Sequence, residues 1–258
     1  MSSVATDTNS FIQSLDRGLA VLRVFGADTP SLTLSEASRL AGLTRATTRR
    51  ILHTLHILGY VSFDGKHFAL TPKVLDLGYS YVSSLHVADI AQPAMEALSD
   101  KVRESVSMAL LDGDDIVYVA RVPTKRIMTI SLGLGSRLPA YCSSLGRVLL
   151  SDLSESDLDV YLARTTRVAR TSRTVTDADE LRTAIHEVRE RGWALLDQEL
   201  EDGVRSVAAP LRNRHGRAVA AINIGTQVAH VGLPRLRNEL VPALLATAAE
   251  ITEQLCKR

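Results

Sequence analysis

Residues 34–53, Leu-Ser-Glu-Ala-Ser-Arg-Leu-Ala-Gly-Leu-Thr-Arg-Ala-Thr-Thr-Arg-Arg-Ile-Leu-His, constrain the fold of this chain more than any other stretch. They read as two short helices joined by a tight turn. Thr33 caps the first, and Glu36, three residues on, completes a capping box. Leu34, Ala37, Leu40 and Ala41 recur at helical period. Gly42 then stops the helix, as a glycine just past a C-terminus does. Leu43 plugs the turn and Thr44 offers the second N-cap. The second helix is expected to bury Ile51, Leu52, Leu55 and Leu58 and to leave Arg45, Thr48, Arg49 and His53 outside. Cations and hydroxyls gathered near a helix N-terminus suit the major groove of DNA. Arg makes bidentate contacts to guanine or phosphate, and Thr reaches either. Thr44, Arg45, Thr47, Thr48, Arg49 and His53 are therefore the candidate DNA contacts. A solvated helical hairpin shows the same pattern, and residues 59–70 weigh between the two.

Those residues form a β-hairpin. Gly59-Tyr60-Val61 ends the helix, and residues 62–70 carry a short alternating run on each side of Asp64-Gly65, a dipeptide that favours a type I′ turn. A hairpin directly after a recognition helix is a wing, with Lys66 and His67 at its tip within reach of phosphate.

At 258 residues the chain is long enough for two domains with adequate cores. The net charge of +1 gives no general cationic field, so basic residues must act locally, as Arg45, Arg49 and Arg50 do. Two cysteines, Cys142 and Cys256, form neither a disulfide framework nor a metal cluster. With no signal peptide and no membrane-length apolar run, the expected location is the cytoplasm.

Residues 1–9 are small and polar and are expected to be disordered. Phe11, Ile12, Leu15, Leu19, Leu22 and Phe25 predict a first helix packed beneath the helix pair, followed by a loop over 26–30. Thr71-Pro72 starts a further helix through Leu75, Gly78, Tyr81, Val82 and Leu85, read as a linker whose apolar stripe pairs with a second subunit or covers its own domain. The predicted divisions are a winged helix-turn-helix over 10–72, a linker helix over 73–92 and an α+β domain over 93–258. In the last, Met95, Leu98 and Val102 mark a helix, and strands are predicted at 105–111, 116–121, 127–132, 193–196, 204–210 and 218–224. Gly133, Gly135 and Pro139 punctuate a loop. Helices are predicted at 143–150, 155–162, 179–191 and 234–254. The interleaving lacks a strict βαβ period, which argues for a mainly antiparallel sheet.

This second domain carries no metal-ligand spacing, no phosphate-binding glycine loop and no nucleophile elbow, so no cofactor or metal is implied. Cys142 has no basic partner nearby in sequence and reads as a packed thiol. The carboxylates Glu199, Glu201 and Asp202 resemble a catalytic carboxylate pair, and a polar loop between two strands explains them as well.

Five segments together carry a resemblance. They are Leu-Asp-Arg-Gly-Leu-Ala-Val-Leu over residues 15–22, the helix pair, Leu58-Gly59-Tyr60, residues 138–147 and residues 197–210. In that order they resemble the IclR family of bacterial transcription regulators, in particular regulators of protocatechuate and para-hydroxybenzoate catabolism. The resemblance implies a winged helix joined by a linker helix to a GAF-like ligand-sensing domain, assembled as a homodimer or homotetramer on operator DNA. It also implies effector contacts at Tyr141, Ser143, Ser144, Leu145, Ser206 and Asn223. Where relatives place an aspartate this chain has Leu196. Leu132, Leu145, Leu196 and Met108 would then wall a pocket for a ring or a longer carbon chain. The expected effector is an aromatic acid of the protocatechuate type or acyclic beta-ketoadipate, in preference to a small 2-oxo acid.

The residues read alone are compatible with that pocket. In period-two alternation Ser206 shares a face with Val204 and Ala208, and Asn223 with Val219, Ala221 and Gly225. Small residues with one hydroxyl and one amide leave room for a ligand and orient it, although they equally allow a helix to pack close. Backbone N–H groups at the start of the 143–150 helix can hold a carboxylate, and Arg137 can add a charge. The chain is thus expected to be a ligand-responsive DNA-binding regulator without catalytic activity. An enzyme-like α+β domain fused to a DNA-binding module, and a second domain that only mediates assembly, are the alternatives.

Overall fold

The structure, a computed structural model, describes residues 11–78, 86–124 and 133–257. The N-terminal stretch expected to be disordered, the strand predicted at 127–132 with its Leu132, and the middle of the linker helix lie outside the described residues. The chain divides into two compact units, Met1–Ser84 and Leu85–Arg258.

In the first unit α1 (Gln13–Arg23), β1 (Ser31–Thr33), α2 (Leu34–Ala41) and α3 (Arg45–Ile57) precede a hairpin of β2 (Val61–Phe63) and β3 (His67–Leu70). The capping box is formed: the Thr33 hydroxyl accepts from Glu36 N, and the Glu36 carboxylate accepts from Thr33 N at 2.8 Å. The Thr33 N–H, joined by the Thr33 hydroxyl donating to the same carboxylate at 2.7 Å, holds the Glu36 carboxyl below its usual range. Gly42 takes φ +65, and Thr44 Oγ1 accepts from Thr47 N at 3.2 Å. Each such cap contributes about 1 kcal/mol, so the turn between α2 and α3 is fixed by local bonds.

The core beneath them is Val21, Phe25, Leu32, Ala37, Leu52, Leu55 and Val61. Three expectations are corrected by it. Along α3 the buried stripe is Thr48, Leu52 and Leu55, at spacing i, i+4, i+7, so Thr48 is 0% exposed rather than outside. Leu58 caps the helix where the chain turns away at Gly59, and is 51% exposed. On α1 the buried side is set by Val21 with Phe25 just beyond the helix, and Phe11, Ile12, Leu15 and Leu19 are exposed. The sheet also has a third strand, in the order β1-β3-β2, all antiparallel. Only three residues long, β1 offers too little alternation to read. The wing turns on Gly65-Lys66, closed by Asp64 N donating to the His67 carbonyl at 3.2 Å. Within that turn positive φ occurs at Gly65 alone, the pattern of a II′ rather than a I′ turn. Thr71 Oγ1 bonds the Gly59 carbonyl rather than capping the 3₁₀ turn Pro72–Leu75 beyond it.

The second unit is α+β. Its described elements are α4 (His86–Val102), β4 (Ser105–Asp112), β5 (Asp115–Val122), β6 (Arg137–Pro139), α5 (Ser144–Leu150), α6 (Glu155–Arg164) and α7 (Ala178–Arg191), followed by β7 (Ala194–Asp197), β8 (Val204–Arg212) and β9 (Ala218–Gln227). A short helical turn, Leu233–Arg235, and a π-helical segment, Leu236–Leu240, lead into α8 (Val241–Cys256). Six strands pair antiparallel in the order β6-β5-β4-β9-β8-β7. Here β6 occupies a stretch that the sequence suggests as loop.

The sheet is buried on both faces. One face carries Val106, Met108, Val207, Ala209, Leu211, Ile222 and Ile224 against apolar residues of α4 and α8. Met108 is therefore on the side away from Ser206 and Asn223, and cannot wall a pocket there. The other face carries Ala109, Tyr118, Ala208 and Ala221 against α5, α6 and α7. α5 lies very close to the preceding segment: a Cβ on Gly146 would sit 2.2 Å from the Ala140 carbonyl oxygen. A bulge in β5 decides what this face presents. Met108 pairs with Ala120 and Ala109 with Tyr118, which leaves Val119 as an extra residue. Val119 and Ala120 both join the α4–α8 side. Tyr118 and Arg121, three apart, thereby point to the same face, which an unbroken strand forbids.

Candidate DNA interface and ligand cavity

Arg45, Arg49 and His53 recur every four residues along α3, so they share one exposed face. They form one wall of a cleft of about 490 Å³ whose opposite wall is the wing, with Phe63, Gly65, Lys66 and Phe68. Thr33, Leu34 and Ser35 close its end. Two contacts set the wing's shape. Phe63 and Phe68 stack with centroids 4.4 Å apart, and the Asp64 carboxylate accepts from Lys66 N at 2.8 Å and His67 N at 2.7 Å. Those backbone bonds hold the Asp64 carboxyl below its usual range and fix the loop from which the Lys66 side chain projects. His56 Nδ1 lies 3.0 Å from the Val61 carbonyl and ties α3 to the start of the wing.

The threonines behave differently from the arginines. Thr44 caps α3, its Oγ1 accepting from Thr47 N and donating to Thr47 Oγ1 at 2.9 Å. Thr48 Oγ1 donates to the Thr44 carbonyl at 3.1 Å inside the helix pair, so the DNA contact expected of it has no accessible atom. Arg50 points elsewhere, into a groove between α1 and α3 that it shares with Arg17. The result is a row of cations opposed by a lysine-tipped loop, a surface matched to a groove and its flanking phosphates.

In the second unit, a cavity lies on the sheet face beneath the start of α5. Ser143, Ser144 and Leu145 form its roof, and Ser206 and Asn223 lie on its floor. The floor is laid out by register. Ser105, Gly225 and Ser206 form one row across β4, β9 and β8, and Arg121, Ser107 and Asn223 form the next across β5, β4 and β9. Leu200, Val204, Tyr118 and Gln227 complete the lining. Ser143 Oγ accepts from Gly146 N at 3.1 Å and is thus spent as the N-cap of α5. Ser144 Oγ and Asn223 Oδ1 are buried with no hydrogen-bond partner among the described residues. Burial pushes the Tyr118 hydroxyl up to about 12, against the pull of the nearby Arg121 guanidinium. This phenol is a neutral donor at physiological pH.

Several expected ligand contacts are elsewhere. Tyr141 turns its hydroxyl away, donating to the Val168 carbonyl at 2.7 Å and accepting from Val168 N at 3.0 Å, and does not line the cavity. Leu196 is on the expected face, directly across from Ser206, but packs into the apolar core while Leu200 and Val204 form the wall. Arg137 pairs with Asp112 at 2.8 Å and Asp115 at 3.2 Å on the surface. Arg121 and Tyr118 were not signalled by the sequence, because the bulge in β5 breaks the alternation that would have aligned them. Ser105 and Ser107, by contrast, alternate regularly on β4 and gain their meaning only from the strands paired beside them.

Cys142 is a packed thiol. It is 0% exposed, and burial raises its pKa to about 11. Glu199 is not part of a carboxylate pair but of a buried ion pair with Arg147 at 2.7 Å, whose guanidinium also donates to the Tyr141 carbonyl. Burial raises the Glu199 carboxyl and lowers the Arg147 guanidinium, while their mutual attraction opposes both shifts. The pair ties α5 to the loop that carries Leu200.

Comparison with known proteins bears on both sites. Residues 14–65 match the IclR helix-turn-helix domain, and residues 79–253 match the bacterial transcriptional regulator IclR C-terminal domain. The Pca regulon regulatory protein of Pseudomonas putida is 43% identical over 251 residues, 97% of this chain and 86% of that protein. A putative transcriptional regulator from Rhodococcus sp. RHA1 superimposes with a TM-score of 0.86 at 52% identity, covering 95% of this chain and 98% of that one. The inducer-binding domain of the PobR transcription factor from Acinetobacter, as a double mutant in complex with 3-hydroxybenzoic acid, matches with a TM-score of 0.61 at 30% identity. It covers 64% of this chain and 97% of that one.

Proposed function

The chain belongs to the IclR family of bacterial transcriptional regulators, and from that premise we propose that a hydroxylated aromatic acid of the protocatechuate type, bound beneath α5, controls its action on operator DNA. The observation that carries the ligand half is the pair of orphaned polar atoms, Ser144 Oγ and Asn223 Oδ1, buried in one cavity. A buried polar group without a partner costs about 1–3 kcal/mol, and a bound effector removes that cost. The 43% identity to a Pca regulon regulator and the PobR domain's complex with 3-hydroxybenzoic acid support the aromatic class. Among the sequence-derived positions, Ser144, Leu145, Ser206 and Asn223 contact the effector, with Ser143 holding the helix start in place.

On the DNA side, Arg45, Arg49 and His53 enter the groove, Lys66 touches backbone phosphate, and Thr44 and Thr47 order the helix start. One such unit reads few base pairs, so binding uses two or more copies on a repeated or palindromic site. The exposed Phe11 and Ile12 just before α1, Leu15 and Leu19 on it, and Leu75 and Leu77 after the wing supply apolar surface for a homodimer or homotetramer. No helix among the described residues is long and apolar enough to cross a membrane, and action on operator DNA places the protein in the cytoplasm.

A thermal-shift series tests the ligand half. The full chain is melted alone and with protocatechuate, 4-hydroxybenzoate, 3-hydroxybenzoate, beta-ketoadipate and pyruvate. A ligand at a hundred times its Kd adds about 2.7 kcal/mol of stability, a rise of several degrees, and is expected for at least one hydroxybenzoate and not for pyruvate. A flat series would overturn the effector class.

A further inference from the structure

The two ends of the cavity differ in chemistry. At the β5 end lie Arg121 and Tyr118, brought to one face by the bulge, and both donate hydrogen bonds. At the β9 end lies Asn223, 7% exposed, whose Oδ1 accepts and has no donor among the described residues. Ser144, 1% exposed and also unpartnered there, closes the roof. Arg121 and Asn223 occupy one cross-strand row with Ser107 between them. Neighbouring strands are about 4.8 Å apart, so the two backbones are separated by roughly 10 Å. Side chains on one face stand roughly perpendicular to the sheet, so their polar ends keep about that separation, which a single substituted ring can bridge. Leu145, Leu200 and Val204 supply apolar contact for its faces.

Resting on the effector class proposed above, we propose that the effector binds in one polarity: its carboxylate against the Arg121 guanidinium and the Tyr118 hydroxyl, its ring hydroxyl donating to Asn223 Oδ1. Arg121 presents a permanently charged fork that matches a carboxylate. The Tyr118 phenol, kept protonated by its burial, adds a neutral donor beside it. At the far end an acceptor-only atom needs an O–H. Benzoate, which has none, leaves Asn223 Oδ1 unsatisfied in the complex. Arg121 and Asn223 thus act as separate specificity determinants, one reading the acid and the other the hydroxyl.

The test is isothermal titration of the full chain with 4-hydroxybenzoate, 3-hydroxybenzoate, benzoate and 4-hydroxybenzamide, for wild type, Arg121→Gln and Asn223→Leu. In wild type, benzoate is expected to bind roughly 10- to 100-fold more weakly than the better hydroxybenzoate, the span of one unsatisfied buried acceptor. Asn223→Leu should bring that ratio near one. Arg121→Gln should keep the hydroxyl preference and lose the preference for 4-hydroxybenzoate over 4-hydroxybenzamide. Equal binding of benzoate and both hydroxybenzoates by wild type overturns the polarity while leaving the effector class standing, and needs no variant to fold. So does a hydroxyl preference unmoved in Asn223→Leu. Failure of every aromatic acid to bind wild type removes the effector class itself.

Discussion

The cleft beside α3 and the cavity beneath α5 both gather polar side chains, but they hold them in opposite ways. In the cleft the cations Arg45, Arg49 and Lys66 stand in solvent on a capped helix and a short loop. In the cavity Arg121 lines a space enclosed by serines, Asn223 and apolar walls, and two polar atoms there have no partner among the described residues. An exposed charge costs little to keep and is strongly screened, so a row of them suits a long polyanion met at a surface. A buried orphan is costly to keep, and suits a small molecule that arrives with the missing donor. The difference lies in burial more than in residue type, and it is what the proposal above rests on in giving the cleft to DNA and the cavity to a ligand.

The sharpest way to break this contrast is to disturb the buried side. Arg147→Met leaves Glu199 enclosed without its cation, which should cost about 3–5 kcal/mol, while Arg147→Met with Glu199→Leu should recover much of that. Urea unfolding of the second unit's signals provides the measurement. A loss below about 1 kcal/mol for the single variant would mean that this pair is effectively solvent-screened and the cavity's frame is not buried in the sense argued.

On the exposed side the effects should be smaller and visible in DNA binding rather than in folding. Arg49→Ala is expected to weaken operator binding by about 1–3 kcal/mol if it reads a base, with little change in melting temperature. Lys66→Ala should weaken all duplexes alike and reduce the salt slope by about one. A titration across salt concentrations distinguishes the two. Equal, sequence-independent losses for both variants would make Arg49 a phosphate contact, and no loss for either would remove the cleft from the interface.

The smallest effect tests a boundary case between the two regimes. Thr48 sits on the recognition helix yet is enclosed, and its hydroxyl serves only the Thr44 carbonyl. Thr48→Val should cost about 1 kcal/mol of stability or less and leave operator affinity within about twofold. A tenfold loss of affinity with unchanged stability would put Thr48 back among the base-reading residues.

How much of this arrangement the sequence revealed depends on the range of each signal. The capping box of Thr33 and Glu36, the Gly42 stop and the Thr44 cap are decided within four residues, and all are present. The faces of β8 and β9 were legible where period-two alternation holds, from Val204 to Leu211 and from Ala220 to Gln227, which placed Ser206 and Asn223 on the cavity side. Beyond it a register shift leaves Val219 an extra, exposed residue and not the partner of Asn223 on that face that the alternation predicts. The face of α3 was harder: Thr48 and Leu58 exchange their expected environments because packing against Val21 and Phe25, far along the chain, sets the buried stripe. β5 was not legible at all in this respect. One extra residue at Val119 turns Arg121 and Tyr118 inward, and nothing in the local sequence announces a bulge. Leu196 shows the remaining gap: its strand face was right, but the loop residue Leu200 forms the wall.

The central claim is that occupancy of the cavity controls action at DNA. The direct measurement is transcription of a reporter placed behind the regulator's operator region, in cells carrying the wild-type chain or Arg121→Gln, with and without the hydroxybenzoate that binds best in vitro. Wild type should change reporter output several-fold on addition of the acid, and Arg121→Gln should need at least ten times more acid for the same change. Reporter output that is indifferent to every acid shown to bind the wild-type chain would contradict the account.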